Sequence, residues 1–417
     1  MSVLSVLLAN GDNLLLTILI LLAFGLFVVI ERKRFDVEGK VVFLYKTKIG
    51  LKLMKRMAKF KRIINVYSTI GVFVALAGIA FVLYLFIPYL YLMITSPTTT
   101  FPAVAPLFPV SISVGGIPVL IGVPILYILI AIILLAALHE ASHGVVALSK
   151  NIKIKSTGFG FLFGVLPLAF VEPDEKKIVK AKRIDRLRIF SAGAFTNVVL
   201  GFIFLGAYLA LSHFIVSANM ISYSPYYLDV STVVNSGPAS IVSLPVNSTV
   251  SEINGHKFYS EQEALSDLNV KPGQYVNFTL TNGKVYSMRT TYNSSINNTY
   301  HSYIGVGGFF SLAKPPAFII EPISVTAFPN NTFPSQSLYW IDGLFLWLWV
   351  ISFSLAIVNI LPLSYLVDGG KIFFDALGYV VKNEKKALAI LNTVAFLFIL
   401  LLVLLSPIGS IIFASLR

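Results

Sequence analysis

Residues 117–148 read IPVLIGVPILYILIAIILLAALHEASHGVVAL, an apolar helix candidate that ends in the motif His139-Glu140-Ala141-Ser142-His143. Positions i and i+4 share one face of a helix, so the two imidazoles can reach the same metal ion. Glu140 lies beside that face, where a general base for zinc-dependent hydrolysis belongs. Ionisable side chains are costly inside a bilayer. Three of them at the end of an apolar run therefore indicate a metal site more strongly than the same motif would in a soluble helix.

The composition places the chain in a membrane. Of its 417 residues, 56% are hydrophobic and 12% are charged, and the mean hydropathy of +0.82 excludes an ordinary soluble domain. Six segments have about the 20 apolar residues that a bilayer requires, or can tilt to fit it. They are Leu14–Ile30, Val66–Ile94, Ile117–Leu148, Ile189–Ser212, Trp340–Leu361 and Ala387–Leu405. We therefore expect a polytopic α-helical membrane protein with about six transmembrane helices.

Lysine and arginine are distributed unevenly between the loops. Residues 31–62 hold 12 of them, residues 150–188 hold 10 and residues 363–387 hold 4, whereas residues 95–116 hold none. Cytoplasmic loops are enriched in these residues. The pattern therefore predicts that the three basic loops, 31–62, 150–188 and 363–387, lie on the cytoplasmic side. The N-terminus and the long segment 213–339 then lie outside. The net charge of +13 is thus a topology signal, with membrane lipids and no nucleic acid as the expected partners.

Residues 156–171 are apolar and uncharged but too short to cross a bilayer. Gly158, Gly160 and Gly164 disfavour a helix, and the alternation of small and aromatic residues predicts two short strands. Such backbone is tolerated at membrane depth only where it is buried in protein or borders a water-filled cavity. We expect a re-entrant membrane β-hairpin that enters from the inside and borders a cavity near the metal motif.

Composition divides the chain into five parts. Residues 1–94 hold two spans joined by a basic cytoplasmic linker with a surface helix, and residues 115–217 hold the metal motif, the hairpin and the next span. Residues 225–312 are predicted to be an extracytoplasmic α+β domain, because the alternating segment YVNFTL precedes an Asn-Gly hairpin turn. A Pro-rich linker follows at 313–339. The last part, 340–417, holds an Asp-Gly-Gly segment and the C-terminal span.

A zinc site for hydrolysis needs a third protein ligand as well as an open position for water. Glu172 and Glu175 follow the predicted hairpin and are candidates by their closeness in sequence. Asp368 is the stronger candidate, since the predicted topology brings it to the same leaflet as the metal motif. Pro362 breaks the helix before it, and the two glycines after it permit a tight turn.

Together these motifs resemble the site-2 proteases, intramembrane zinc metalloproteases that cut transmembrane substrates. The matching segments are the histidine motif, the glycine-rich hairpin that ends at Glu175, residues 192–197 and residues 359–370. The domain at 225–312 resembles the PDZ domain that many members carry at this point in the chain, with landmarks such as Ser-Gly-Pro-Ala at residues 236–239.

The resemblance implies a function and a set of site residues. His139, His143 and Asp368 are expected to bind one zinc ion per chain. Glu140 is expected to activate water, and Asn359 to hold the substrate backbone. The implied substrate is a single-pass transmembrane protein. The spread of charge and of Asn-x-Ser/Thr sequons favours a prokaryotic plasma membrane, archaeal in the narrower interpretation, with the active site near the cytoplasmic leaflet.

Two features depart from the family pattern. Five residues separate Pro362 from Asp368 where the family usually has four, and one extra residue rotates a helical register by about 100°. A bulge or a non-helical turn must absorb that rotation. Residues 244–250 lack the Gly-Asp pair that usually precedes a PDZ strand, so the sequence leaves peptide binding by this domain open.

Three other functions fit part of the sequence. A metal transporter would need polar residues along several spans, and the second, fifth and sixth are almost uniformly apolar. A non-catalytic scaffold could bind peptide tails through the PDZ-like domain, although Glu140 is intact. A membrane zinc protease acting on soluble tails would use Glu172 or Glu175 as its third ligand. The absence of cysteine excludes disulfides and thiolate zinc sites, and the sequence does not define an oligomeric state.

The remaining polar residues of interest have simpler interpretations. Asn197 opens the fourth span, where an interhelical hydrogen bond is its expected role. His213, His256 and His301 lie in the predicted outside segment, where we expect ordinary surface histidines.

Overall fold

The computed structural model describes residues 14–95, 104–109, 112–114, 117–223, 225–292, 302–312, 327–329, 332–365 and 367–415. The chain divides into two compact units. The first joins Met1–Leu209 with Gly343–Arg417 and contains the metal motif. The second is the inserted segment Ala210–Asp342.

Helices dominate the first unit. In chain order the α-helices of the described residues are α1 (Leu14–Ile30), α2 (Leu51–Met57), α3 (Lys61–Thr95), α4 (Ile125–Ser149), α5 (Glu175–Lys180), α6 (Arg183–Ser217), α7 (Pro238–Ile241), α8 (Glu261–Leu268), α9 (Phe333–Ile360), α10 (Asp368–Leu377), α11 (Glu384–Leu404) and α12 (Pro407–Ser415). Among the described residues, five of these are long and apolar enough to cross a membrane: α3, α4, α6, α9 and α11. Helix α1 is also apolar, and its 17 residues are at the lower limit for a span. These helices fit the predicted polytopic membrane protein.

Strands occur in both units. In chain order they are β1 (Asp36–Glu38), β2 (Val42–Thr47), β3 (Leu107–Phe108), β4 (Ile112–Val114), β5 (Ile117–Gly122), β6 (Ile154–Leu162), β7 (Leu166–Pro173), β8 (Ile221–Tyr223), β9 (Tyr226–Val233), β10 (Thr249–Ile253), β11 (Tyr275–Leu280), β12 (Val285–Arg289), β13 (Thr291–Tyr292), β14 (Ser302–Tyr303), β15 (Val306–Leu312) and β16 (Ala327–Pro329).

The helix that carries the metal motif starts later than the sequence indicated. Residues 117–122 form β5, which pairs with β3 and β4, and α4 begins at Ile125. The prediction of a helix from residue 117 is therefore wrong, because Pro118 and Pro124 lack the N–H groups that a helix interior needs. A π-helical turn at Ile132–Ala136 then precedes the motif. Single π turns of this kind are frequent at functional sites.

The predicted hairpin belongs to a larger sheet. β6 and β7 pair antiparallel, as the sequence indicated, but β2 pairs with β6 and β1 with β2, so that the strand order is β1-β2-β6-β7. The sequence predicted a basic linker with a surface helix at residues 31–64. The structure has the helix, α2, in this segment, but the strands β1 and β2 were not predicted. The segment VFLYKT finds its partner more than 100 residues away, which local periodicity does not reveal. β7 remains the edge of the sheet and lies against α4.

A non-helical turn joins α9 to α10. Helix α9 ends at Ile360, next to the predicted break at Pro362, and α10 begins at Asp368. The described residues between the two helices are not helical. A Cβ atom at Gly369 or Gly370 would collide with the backbone of this turn, so only glycine allows it to pack on the first turn of α10. Among the described residues between Pro362 and Asp368 the backbone is irregular, rather than a helix with a rotated register.

The second unit is an α+β structure. Its five-stranded antiparallel sheet has the order β12-β11-β10-β9-β15 and packs with α8 around a core that includes Ile253, Phe258, Phe278 and Met288. Ser260 caps α8 by accepting a hydrogen bond from the backbone N–H three residues later. This agrees with the predicted class of the domain, while its likeness to a PDZ domain stays a prediction.

The predicted Pro-rich linker at 313–339 falls mostly outside the described residues. Its described parts are β16, which pairs with β8, and residues 332–339. Helix α9 already begins at Phe333, so the extended linker ends earlier than predicted.

Candidate metal centre

Three side chains from two distant segments converge on one point. Nε2 of His139 and Nε2 of His143 lie 3.2 Å and 3.0 Å from Oδ2 of Asp368, and 3.1 Å from each other. Among the described residues, this is the group of His, Asp or Glu side chains arranged to hold a metal ion. All three are largely buried. Helix α4 supplies the imidazoles from one face, and α10 supplies the carboxylate from its first turn.

The spacing of these atoms fits zinc. Ligand atoms about 2.0–2.1 Å from one tetrahedral zinc ion lie about 3.3 Å from each other. Nδ1 of His143 is 2.6 Å from the carbonyl oxygen of Ile189 on α6, to which it donates its proton. That hydrogen bond leaves the lone pair on Nε2, which faces the other two side chains.

Asn197 supports the second imidazole in the same way. Its side-chain amide is fully buried and lies 3.1 Å from Nδ1 of His139, while its Oδ1 has no hydrogen-bond partner among the described residues. An imidazole that offers Nε2 to a metal carries its proton on Nδ1 and needs an acceptor there. The oxygen and nitrogen of an amide exchange places by rotation about one bond. Turned in this way, the orphaned oxygen becomes the acceptor that a zinc-loaded His139 requires.

Gly193 makes room for the centre. A Cβ atom at this position on α6 would collide with Nε2 of both His139 and His143. The helix therefore presents bare backbone to the ligand atoms, and any side chain would fill the space between them. The space that Gly193 leaves beside the imidazoles and the unpartnered Oδ1 of Asn197 together show that the residues fit a zinc ion.

Glu140 lies beside the group rather than in it. Its Oε2 accepts a hydrogen bond from the backbone N–H of Val171 on the edge strand β7, at 3.2 Å. It also lines an apolar cavity of about 960 Å³, between α2, α3, α4 and the strands β6 and β7. A carboxylate next to the metal ligands and open to a cavity is placed to exchange protons with a molecule bound there.

The alternative third ligands lie elsewhere. Glu172 accepts a hydrogen bond of 2.6 Å from Ser156 and lies within ion-pair distance of Lys46 and Lys155. The hydrogen bond from Ser156 lowers the pKa of Glu172, and both lysines add to the effect. Glu175 opens α5 and is not part of the three-residue group. Neither glutamate is brought to the imidazoles.

Asn359 is placed near the end of α9, where its amide donates to the carbonyl oxygen of Leu355 at 2.9 Å. The described contacts do not join it to the metal group. His213 and His256 are exposed, and His301 lies outside the described residues.

An ion pair that sequence reasoning missed joins α6 to α10. Nε of Arg186 donates to both carboxylate oxygens of Asp375 at 3.0 and 2.9 Å, and its Nη2 also contacts Oδ1. Asp375 is only 3% exposed. It lies two helical turns after Asp368, and Arg186 lies two turns before Gly193. In the sequence, the only signal for this ion pair is that the charged Asp375 follows Asp368 by seven residues. Its partner Arg186 is 189 positions away.

Comparisons with known proteins agree with this site. The profile of peptidase family M50 matches residues 127–402, more than half of the chain. A protein of Clostridium perfringens with the provisional name zinc metalloprotease is 25% identical over 349 residues, which cover 69% of this chain and 99% of that protein. An uncharacterized protein of Methanocaldococcus jannaschii is 29% identical over 163 residues, 39% of this chain and 41% of its own length. The predicted membership is confirmed: the chain belongs to peptidase family M50, the family of the site-2 proteases.

Proposed function

We propose that this protein is a zinc-dependent intramembrane endopeptidase that cleaves transmembrane segments of membrane proteins. One observation carries the proposal. His139, His143 and Asp368 converge at the end of an apolar membrane helix, and the carboxylate of Glu140 lies beside them in an apolar cavity. A scaffold or a transporter has no need of a general base in that position.

Each residue has a defined task in this reaction. His139, His143 and Asp368 would hold the zinc ion, which when bound acts as a Lewis acid and makes water nucleophilic at neutral pH. Glu140 takes a proton from the attacking water, whose oxygen bonds to the carbonyl carbon of the substrate. Glu140 then passes that proton to the leaving amine as the peptide bond breaks. The N–H of Val171 keeps the carboxylate turned towards the cavity.

The edge strand β7 is suited to present the substrate. A transmembrane helix hides its peptide bonds, so it must unwind before it is cut. An unpaired sheet edge can hold an extended peptide by strand addition. Among the described strands, none pairs with the outer side of β7, where the N–H of Val171 donates to the general base. We infer that the β6–β7 hairpin reaches into the membrane from the cytoplasmic side, where its apolar residues face lipid or cavity.

The wider assembly follows from the same proposal. We infer six spans including α1, with the N-terminus and an inserted PDZ-like domain outside, in a prokaryotic plasma membrane. The metal centre then lies near the cytoplasmic leaflet. A single-pass membrane protein is the inferred substrate, and anionic lipids are the neighbours of the basic inner loops.

The test is mass spectrometry of products from a single-span model substrate, incubated in detergent with wild type or with Glu140→Ala. We expect a cut inside the apolar segment with wild type only, abolished by a zinc chelator, while the variant still holds one zinc per chain. Cleavage by Glu140→Ala at the wild-type rate would exclude the proposed mechanism. Zinc binding without any cut by wild type would favour the scaffold.

A further inference from the structure

Two parts of the chain line the cavity beside Glu140, one inside and one outside the stretch that matches the family profile. Helix α4 and the strands β6 and β7 lie within the stretch that matches the M50 profile, residues 127–402. One third of the lining residues come instead from residues 24–67, which precede that stretch. This N-terminal segment therefore forms a wall of the site although it lies outside the family match.

Specific hydrogen bonds hold this wall in place. The hydroxyl of Thr157 on β6 donates to the carbonyl oxygen of Ile49 at 2.8 Å, and the hydroxyl of Thr47 donates to the carbonyl oxygen of Thr157 at 3.0 Å. These bonds tie the turn before α2 to the hairpin. Gly50, the residue before α2, has a φ of 78°, a left-handed conformation that suits glycine. The position of α2 over the cavity is thus fixed by the sheet.

Helix α2 has one face buried in the protein and another face open to the cavity. Met54 is buried against Gly144, the residue after the second zinc-ligand candidate, where a Cβ would come within 2.7 Å of its sulfur. Leu53 and Met57 line the cavity, yet they are 62% and 48% exposed. The neighbouring cations of α2, such as Arg56, do not line it. Large apolar side chains left open at this point are available to an apolar ligand.

Helix α3 adds a single polar group to the same wall. The hydroxyl of Tyr67 lies 2.8 Å from Oγ1 of Thr196, which itself donates to the carbonyl oxygen of Ala192. Tyr67 is therefore the donor to Thr196, and its oxygen keeps lone pairs that can accept a peptide N–H. Both side chains line the cavity.

We propose that α2, through Leu53, Met54 and Met57, forms the subsite that receives an apolar side chain of the unwound substrate next to the scissile bond. The inference rests on the proposed function and deepens it. The occupant is an extended peptide because the wall faces both the general base and the free edge of β7 across one continuous cavity. Methionine adapts its shape easily, so this subsite accepts apolar side chains of several sizes.

Cross-linking tests the contact without any need for turnover. The chain has no cysteine, so Met57→Cys in a Glu140→Ala background gives a single thiol in the wall. A single-span substrate carries one cysteine at successive positions of its apolar segment. With an added mild oxidant that takes up the two electrons released by each thiol pair, we expect disulfide formation at a few adjacent substrate positions. The matched control is Arg56→Cys on the same helix. We expect its yield of cross-linked product to be less than about a tenth of that of Met57→Cys.

Two results would overturn the proposal. Equal cross-linking at positions 56 and 57 would mean random collision, and no cross-linking at 57 at any substrate position would mean that lipid fills the cavity. This readout needs binding only, so it decides the subsite even if the wild-type protein cuts nothing. Failure of cleavage is then a failure of the proposed activity, separate from the subsite.

Substrate preference gives a second readout. Met57→Ala enlarges the subsite without disturbing the core, since Met57 is half exposed. We expect the ratio of kcat/KM for a substrate with phenylalanine beside the cut to that for one with alanine to change about tenfold or more. Lys55→Ala is the control and should keep the wild-type ratio. The same ratio in both variants would contradict the proposal.

Discussion

Asp368, Glu172 and Glu175 are the carboxylates between which the sequence left the third ligand position open, with Asp368 as the stronger candidate. Asp368 lies 3.0–3.2 Å from both imidazoles, whereas Glu172 is engaged by Ser156 and two lysines. We expect Asp368→Ala to lose zinc and Glu172→Ala to keep it. The loss should exceed the 10–100-fold in affinity that removal of a supporting partner typically costs. Metal content per chain after purification measures both, and zinc retained in Asp368→Ala would assign the ligand elsewhere.

Asn197 and Asn359 have the same side chain and different surroundings. Asn197 contacts Nδ1 of His139, while Asn359 is bonded within its own helix. Asn197→Ala should therefore weaken zinc binding about 10–100-fold by freeing the imidazole. Asn359→Ala should bind zinc like wild type and cleave more slowly. Competition with a chelator of known affinity gives the comparison, and equal zinc affinity in the two variants would refute the assigned role of Asn197.

At the scale of elements, α6 organises the metal centre. Its carbonyl oxygen at Ile189 accepts a hydrogen bond from His143, and its backbone at Gly193 leaves space for the ligand atoms. The ion pair Arg186–Asp375 fixes it to α10. The distance along each helix from the ion pair to the metal group is about 10 Å, or seven residues at 1.5 Å. The pair therefore sets how α10 lies against α6, and with it the position of the carboxylate ligand.

Breaking this pair should affect zinc binding from a distance. Removing one partner of a buried ion pair typically costs about 3–5 kcal/mol, because the other charge is left uncompensated. We expect Arg186→Ala to lower both the melting temperature and the zinc affinity, and Arg186→Lys to restore them in part, since lysine lacks the planar fork. Arg188→Ala on the same helix is the control. A less stable Arg186→Ala with wild-type zinc affinity would limit the pair to a structural role.

At the scale of the whole molecule, orientation in the membrane determines which side of the bilayer holds the metal centre. Phe60, between α2 and α3, is 61% exposed, and Tyr275 in the second unit is 62% exposed. In intact cells, a thiol reagent that does not cross membranes should label Tyr275→Cys and leave Phe60→Cys unlabelled until the cells are opened. The cysteine-free parent serves as the blank. Labelling of Phe60→Cys in intact cells would invert the topology.

Local patterns in the sequence were sufficient for the apolar helices, the hairpin and the histidine pair. Spans depend on runs of neighbouring residues, and the i and i+4 spacing of His139 and His143 is a property of one helix. The break at Pro362 is equally local. The same reasoning failed at residue 117, where a strand competes with the start of α4, and at residues 31–64.

Only the tertiary structure decided which distant residues meet. Asp368 reaches His139 across 229 positions, β2 reaches β6 across more than 100, and Arg186 reaches Asp375 across 189. Such pairs depend on packing and burial rather than on periodicity, so no local signal specifies them. The sequence by itself determined that this is a membrane protein with a histidine motif for zinc. The tertiary structure identified Asp368 as the third side chain of the metal group. It also showed the space that Gly193 leaves beside the imidazoles and the N-terminal residues that line the cavity beside Glu140.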